Sequence, residues 1–309
     1  MDSNLNSKQA VDSVAESDYG VFCRIARGEW RRVISQQTDG VTVLAQSFSF
    51  NEVWNYKPKP PLSHPPESLV TLPWEKLLTP LPDPHVDTWG YAMSYPSHQE
   101  EVRLEDSFHF RKFGSVVSAN DDIPFRPYLD YEAEIAILMQ RGDRKRFAYV
   151  MTNDLTDRGI QVRTYDADNM ASGFSKAKSF VGALQAGSLL VIGNAQVWKM
   201  LEVELRLNGE MRQHLIATEC LLEPGRIHDE IFSEEKAGTW VLASTGTTGG
   251  VQFSTPTIWQ KIALIVASGF SRTRAADRWL EQLTFLQPGD RIDFYSAQLG
   301  RSSATVVNN

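Results

Sequence analysis

The segment Leu129-Asp-Tyr-Glu-Ala-Glu-Ile-Ala-Ile-Leu-Met139 limits the fold more than any other stretch of the chain. Its odd positions, Leu129, Tyr131, Ala133, Ile135, Ile137 and Met139, are all apolar, and its even positions include Asp130, Glu132 and Glu134. A period of two is that of a β-strand, whose side chains alternate between faces. Glu132 and Glu134 therefore point the same way, roughly 7 Å apart along the strand. Two carboxylates on one face repel unless positive charge lies between them. A hard divalent cation supplies it, because Mg²⁺ and Mn²⁺ favour oxygen ligands. The plainer alternative is a half-exposed strand whose glutamates face water.

The next strand-like run, Phe147 to Asp154, ends on a third carboxylate. If it pairs near the first, Asp154 completes a three-carboxylate set and leaves positions open for water or substrate, as in catalytic Mg²⁺ sites. Read alone, Asn153-Asp154 is also an ordinary turn or helix cap. Arg158 and Gln161 follow Asp154 at i+4 and i+7, the spacing of one helical face. Arg158 could bind a substrate carboxylate through two parallel hydrogen bonds or simply pair with Asp154.

Strand signals dominate elsewhere. Tyr19–Cys23, Trp30–Ile34 and Val41–Ala45 are rich in β-branched and aromatic residues, with turns between them. Leu201–Leu207 alternates and runs into Asn208-Gly209, a hairpin signal, and Pro288-Gly-Asp290 is a turn before Ile292–Phe294. Thr257 to Ser268 and Arg272 to Leu286 are expected to be helical, with Gly269 where a helix would end. The fold class is thus mostly β with a few helices (α+β). Prolines crowd residues 58–84, which points to irregular structure there and a boundary near residue 84. The expected organisation is a mobile tail over 1–17, a small β-rich unit with its Pro-rich connector over 18–84, and a larger domain over 85–309.

With 31 Lys plus Arg against 38 Asp plus Glu, the formal net charge is −7. That gives no global field to attract a nucleic-acid backbone. The basic run Arg141–Arg146 reads as a solvated turn between strands. Two cysteines outside any CxxC pair, Cys23 and Cys220, argue against a thiolate metal site and suit a reducing cytoplasm. The first residues lack the basic and apolar regions of a secretory signal, and no apolar run is long enough to span a membrane.

Taken in order, the motifs resemble the fumarylacetoacetate hydrolase (FAH) superfamily. The matching elements are Asp130-Tyr-Glu-Ala-Glu-Ile-Ala136, Asn153-Asp154 with Arg158 and Gln161, and Lys178-Ser-Phe180. They continue with Asn208-Gly-Glu210 and Gln213, Thr245-Gly-Thr-Thr-Gly-Gly250, Leu286-Gln-Pro-Gly-Asp290 and Leu299-Gly300. Upstream, Tyr95-Pro-Ser-His98-Gln-Glu-Glu101 matches a further segment, and Tyr19-Gly-Val-Phe22 is a weaker echo. Departures are Thr248 where a proline is usual and Val-Gly-Ala-Leu184 after Phe180.

The resemblance implies a twisted β-roll catalytic domain around a metal site, usually in a homodimer. By it, Glu132, Glu134 and Asp154 are the metal ligands, for Mg²⁺ or Mn²⁺, with Ca²⁺ a further option. His98 and Glu101 are the water-activating dyad on a lid, and Lys178 adds charge at the developing oxyanion. Arg158, Gln161 and Thr247 are substrate contacts. The implied substrate is a small 2-oxo or diketo acid. The implied reaction is C–C hydrolysis of an acylpyruvate-like 1,3-dicarbonyl acid through a metal-stabilised enolate. Decarboxylation, isomerisation and dehydration of a 2-keto-3-deoxy sugar acid would use the same site. A non-catalytic metabolite binder is the alternative of another class.

Overall fold

Residues 19–57, 66–82, 85–103, 106–165 and 168–308 are described by the computed structural model. The chain opens with three strands, β1 (Gly20–Ala26), β2 (Glu29–Gln36) and β3 (Gly40–Phe48). The helical turn α1 (Phe50–Trp54) follows, with a capping box between Ser49 and Glu52 at its start. The expected tail over 1–17 lies outside the described residues, as do 58–65 and 83–84 of the Pro-rich stretch. The rest of that stretch differs from the expectation of irregular structure. Leu69–Pro73 forms strand β4 and pairs antiparallel with β3. It lies at the edge of its sheet, where a proline's missing N–H leaves no central ladder broken.

Next come β5 (Asp87–Ala92), α2 (Pro96–Val102), β6 (Phe108–Lys112) and the short strands β7 (Val116–Ser118), β8 (Ile123–Pro124) and β9 (Leu129–Asp130). The longest hairpin is β10 (Ala133–Gln140) with β11 (Asp143–Asp154), and its turn is the basic run. After β12 (Thr156–Asp157) lie α3 (Arg158–Arg163), α4 (Met170–Ala177), β13 (Leu184–Ala186) and β14 (Leu189–Gly193). A second hairpin joins β15 (Glu202–Leu207) to β16 (Glu210–Ile216) through Asn208 (φ 53°) and Gly209 (φ 84°), the left-handed pair that an Asn-Gly turn provides. The remainder is α5 (Pro224–Ser233), β17 (Trp240–Ser244), α6 (Ile258–Ala267), α7 (Arg272–Leu280), β18 (Arg291–Ser296) and β19 (Gly300–Val307).

Two sheets carry the architecture. A twelve-stranded sheet runs β4-β3-β2-β1-β14-β11-β10-β17-β5-β6, with β13 and β7 branching from β11. A five-stranded sheet runs β16-β15-β18-β19-β8. The strands before residue 84 are hydrogen-bonded into the large sheet, β1 pairing with β14 from Gly20↔Ile192 to Cys23↔Leu189. The observed architecture is mostly β with a few helices, as the residue patterns require.

The alternation in β10 has a physical consequence. Ile135, Ile137 and Met139 enter the core between the two sheets, with Leu205 and Phe294 opposite. Ala136 and Leu138 enter a second core beneath Phe22, Trp30 and Trp54. The strand is therefore covered on both faces, and the glutamates that share parity with Ala136 lie inside the protein.

Three expectations are corrected here. Leu129–Met139 is not one strand: Tyr131 and Glu132 interrupt it between β9 and β10. Asp154, Arg158 and Gln161 do not share one helix: Asp154 closes β11, and α3 begins only at Arg158, capped by the Asp157 carboxylate accepting from the Ile160 amide at 2.9 Å. The last helix stops at Leu280 because the chain turns back toward β9, where the Leu286 amide donates to the Leu129 carbonyl at 3.0 Å.

Candidate metal centre and active site

The site stands at the end of the β10–β11 hairpin. The pair Glu134↔Thr152 and the bond from the Asp154 amide to the Glu132 carbonyl at 2.9 Å fix the register there. Ligand oxygens of Glu132, Glu134 and Asp154 lie within 4.8 Å of one another. The three residues are 4%, 0% and 1% exposed, so the alternative of two glutamates facing water does not hold.

Three cations meet these carboxylates. The Lys178 ammonium donates to Glu132 at 2.5 Å and to Asp154 at 3.1 Å. Lys112 donates to the other Asp154 oxygen. Arg158 spreads its fork: Nε to Asp130 at 2.8 Å, one Nη to Glu132 at 2.7 Å and the other to Gln161 at 2.8 Å. Arg158 therefore pairs with Asp130 and Glu132, not with Asp154. The Nη that meets Glu132 also lies 2.8 Å from Asp130, so of the five N–H donors of the fork one remains, on the Nη that meets Gln161.

Burial disfavours every charge here, and the partners decide who keeps one. Against that burial, Lys178 and Arg158 hold the Glu132 carboxyl down at about 2. The Glu134 carboxyl has no such cation bonded to it. Burial, reinforced by the Asp154 charge, pushes it far above the usual carboxylate range. Its Oε1 is buried without a hydrogen-bond partner, and its Oε2 receives only the Gly246 amide at 3.3 Å.

An unsatisfied carboxylate oxygen beside two other carboxylates fits a hard divalent cation. Four carboxylates, counting Asp130, stand against three cationic side chains, so a divalent ion would reverse the local balance to net positive, as an anionic substrate needs. The donor set is all oxygen and suits Mg²⁺ or Mn²⁺.

His98 lies on α2, 4% exposed, with Nδ1 3.3 Å from Glu101 Oε2. The i,i+3 spacing puts both on one helical face. The helix is latched to the Thr245–Gly250 loop: the Gly250 amide donates to Glu101 at 3.4 Å, and Ser97 and Thr248 hydroxyls lie 2.9 Å apart. Gly246 (φ 88°) is required in that loop, since a Cβ there would lie 2.1 Å from the Ser94 hydroxyl. A cavity of about 300 Å³ opens beside these groups, and His98, Arg158 and Gln161 line it together. Thr247 does not line it: its hydroxyl donates to the Ala133 carbonyl at 2.8 Å and accepts from Gln213 at 2.9 Å.

A model of the fumarylacetoacetate (FAA) hydrolase C-terminal domain matches residues 84–307. The chain belongs to the fumarylacetoacetate hydrolase family. Its likeness to an oxaloacetate tautomerase of Bacillus subtilis (strain 168) is 24% identity, covering 82% of this chain and 79% of that protein. A solved structure from Mycobacterium abscessus, described as a 2-hydroxyhepta-2,4-diene-1,7-dioate isomerase, superposes with a TM-score of 0.62 at 20% identity, covering 94% of this chain and 99% of that one. Maleylpyruvate hydrolase from Sphingobium sp. SYK-6, solved with manganese(II) and pyruvate, gives a TM-score of 0.55 at 18% identity over 94% and 99% of the two chains. A family member of this fold can thus be a tautomerase, an isomerase or a hydrolase, and the architecture alone does not choose among them.

Within this FAH-family site, sequence reading missed two members. Lys112 ends a strand reading Phe-His-Phe-Arg-Lys, where its parity matches Phe108 and Phe110. A lysine on an otherwise apolar strand face was the available signal. Asp130 belonged to the recognised motif, yet its partnership with Arg158 and with the amides of Gln252 (3.0 Å) and Phe253 (3.1 Å) needed the fold. Cys23 and Cys220 are both free thiols.

Proposed function

We propose that the protein is a divalent-metal-dependent hydrolase that cleaves the C–C bond of an acylpyruvate-like 1,3-dicarbonyl acid. The observation that carries this reading is the shared cavity: His98, backed by Glu101, opens on the same space as Arg158, whose far side grips Glu132 of the carboxylate cluster. A binder would need the charged end alone, whereas a hydrolase also needs a base.

Glu132, Glu134 and Asp154 would hold Mg²⁺ or Mn²⁺. When bound, such an ion supplies positive charge that polarises a 2-oxo acid and favours its enolate. Lys178 and Lys112 keep the carboxylates in place and add positive charge to the site. Arg158 and Gln161 both line the cavity, and the remaining N–H of Arg158 with the Gln161 amide would orient the substrate carboxylate. With Nδ1 of His98 donating to Glu101, Nε2 is the basic nitrogen. It takes a proton from water as the hydroxide oxygen bonds to the distal carbonyl carbon. The C–C bond then breaks, its electron pair passes to the pyruvate fragment as an enolate, and the imidazolium returns the proton to it. The products are pyruvate and the carboxylic acid of the acyl group.

The likeness to an oxaloacetate tautomerase favours a second reading, in which the same charged end stabilises an enolate without attack by water. We further propose that the protein works in the cytoplasm, which its sparse and unpaired cysteines suit, and as a homodimer, as the family resemblance implies. Among the described residues no helix is long and apolar enough to cross a membrane.

The test is turnover by metal-stripped protein, with and without added Mg²⁺ or Mn²⁺, of an acylpyruvate and of oxaloacetate. Metal-dependent acylpyruvate cleavage that fails in His98→Ala supports the hydrolase. Tautomerisation or decarboxylation of oxaloacetate with no acylpyruvate cleavage replaces it with the second reading.

A further inference from the structure

The cavity changes character along its length. Val102 lies four residues past His98 on α2, and Val162 four past Arg158 on α3. Each apolar residue therefore stands one helical turn beyond a polar one, on the same face. Met93 and Phe174, both buried, and Phe253 add to this second part of the wall, and Tyr165 and Thr255 bring a hydroxyl each to the lining. Phe174 is itself held edge-to-face on Phe108, with ring centroids 5.1 Å apart. The remaining cations of the lining, Arg103 and Lys261, are exposed to water.

We infer that the group the substrate carries beyond its reacting carbonyl is an apolar acyl chain longer than acetyl, aliphatic or aryl-alkyl, seated against Val102, Val162, Phe174 and Phe253. This rests on the proposal that the 2-oxo acid end lies at the carboxylate cluster. A carboxylate set against these four side chains would lose its water with no charged or hydrogen-bonding group among them to replace it. Oxaloacetate, short and charged at both ends, leaves that part of the cavity unfilled. Val162 and Phe253 are accordingly specificity-determining positions.

The experiment is calorimetric titration of the Mn²⁺-loaded protein with pyruvate, 2-oxohexanoate and 2-oxohexanedioate, beside turnover of acylpyruvates of increasing acyl length. Three added methylenes entering an apolar wall should make 2-oxohexanoate bind at least about tenfold tighter than pyruvate. It should also bind tighter than 2-oxohexanedioate, and Val162→Trp, which fills the apolar part, should erase the difference. Equal affinity for all three acids, tighter binding of 2-oxohexanedioate, or no binding of any of them overturns the inference. The two readings fail separately. A preference for 2-oxohexanoate without cleavage of any acylpyruvate removes the hydrolase and keeps the apolar subsite. Cleavage indifferent to acyl length, with no binding preference, does the reverse.

Discussion

The inner and outer parts of the site are built on opposite principles. Inside, Asp130, Glu132, Asp154, Lys112, Lys178 and Arg158 form a buried lattice in which nearly every charge has a bonded partner. Outside, His98 sits on a seven-residue helix held by a few hydrogen bonds to a loop, beside apolar walls. The lattice resists rearrangement because removing one partner strands another charge in a poor solvent. The outer part holds few buried charges, so an apolar exchange of similar volume there strands none.

The sharpest way to break the comparison is to treat Glu132 and Glu134 differently. Glu132→Gln leaves Lys178 to Asp154 and Arg158 to Asp130, and weakens two buried charged hydrogen bonds at once, which should cost about 3–5 kcal/mol of stability in metal-free protein. Glu134→Gln removes a carboxyl with an unpartnered oxygen, so its metal-free stability should not fall. Both should lose the stabilisation that metal gives, about 2.7 kcal/mol at an ion concentration a hundredfold above Kd. Thermal unfolding with and without Mn²⁺ measures all four quantities. Equal metal-free losses in the two variants would show that the lattice does not distinguish them.

His98→Ala tests the outer part. Loss of a general base should lower kcat by about 10²–10⁴-fold. Stabilisation by Mn²⁺ should persist, because His98 does not belong to the carboxylate cluster. If thermal stabilisation disappears with activity, the inner and outer parts are one unit and the comparison fails.

Arg158→Lys lies between them. A lysine keeps the charge but cannot bridge Asp130, Glu132 and Gln161 at once. Stability should drop by about 1.5–3 kcal/mol for the lost charged hydrogen bonds. A rise in KM in steady-state assays, beyond the effect on stability, would place the residue at the substrate as well as in the lattice.

How much of this could be read before folding follows from the range of each interaction. Glu134 was legible because strand alternation is local, whereas Glu132 lies in the break before β10 and joins the cluster through the path of the chain there. Asp154 was legible as a position but not in its setting: the i,i+4 spacing to Arg158 suggested a shared helix, and the break at Leu155 between β11 and β12 removed it. Lys112 gave only the signal of a lysine on an apolar strand face, since its meeting with Asp154 depends on long-range pairings, β6 with β5 and β7 with β13. Thr247 shows the converse. Its motif suggested a substrate contact, whereas the path of the loop sets its hydroxyl to donate to the Ala133 carbonyl and to accept from Gln213, partners that no local pattern announces. Pro73 misled for a similar reason: proline density argues against a strand until the strand proves to be at an edge.

The smallest expected effect belongs to Glu101, and it separates orientation from charge. Its carboxylate is partly exposed and holds both His98 Nδ1 and the Gly250 amide. Glu101→Gln can still accept through its amide oxygen, so unfolding stability should change by no more than about 1 kcal/mol, the size of one ordinary hydrogen bond. What it loses is the negative charge that favours the imidazolium formed when His98 takes the proton. Turnover should therefore fall by about tenfold, the equivalent of 1.4 kcal/mol in the barrier, with KM nearly unchanged. Glu101→Ala, which also frees the ring to rotate, should fall further. If the two variants are equally impaired, the charge is what matters and the latch to Gly250 is incidental. If Glu101→Gln retains full activity, the residue only orients the ring, and Glu101→Ala alone should show a loss of kcat.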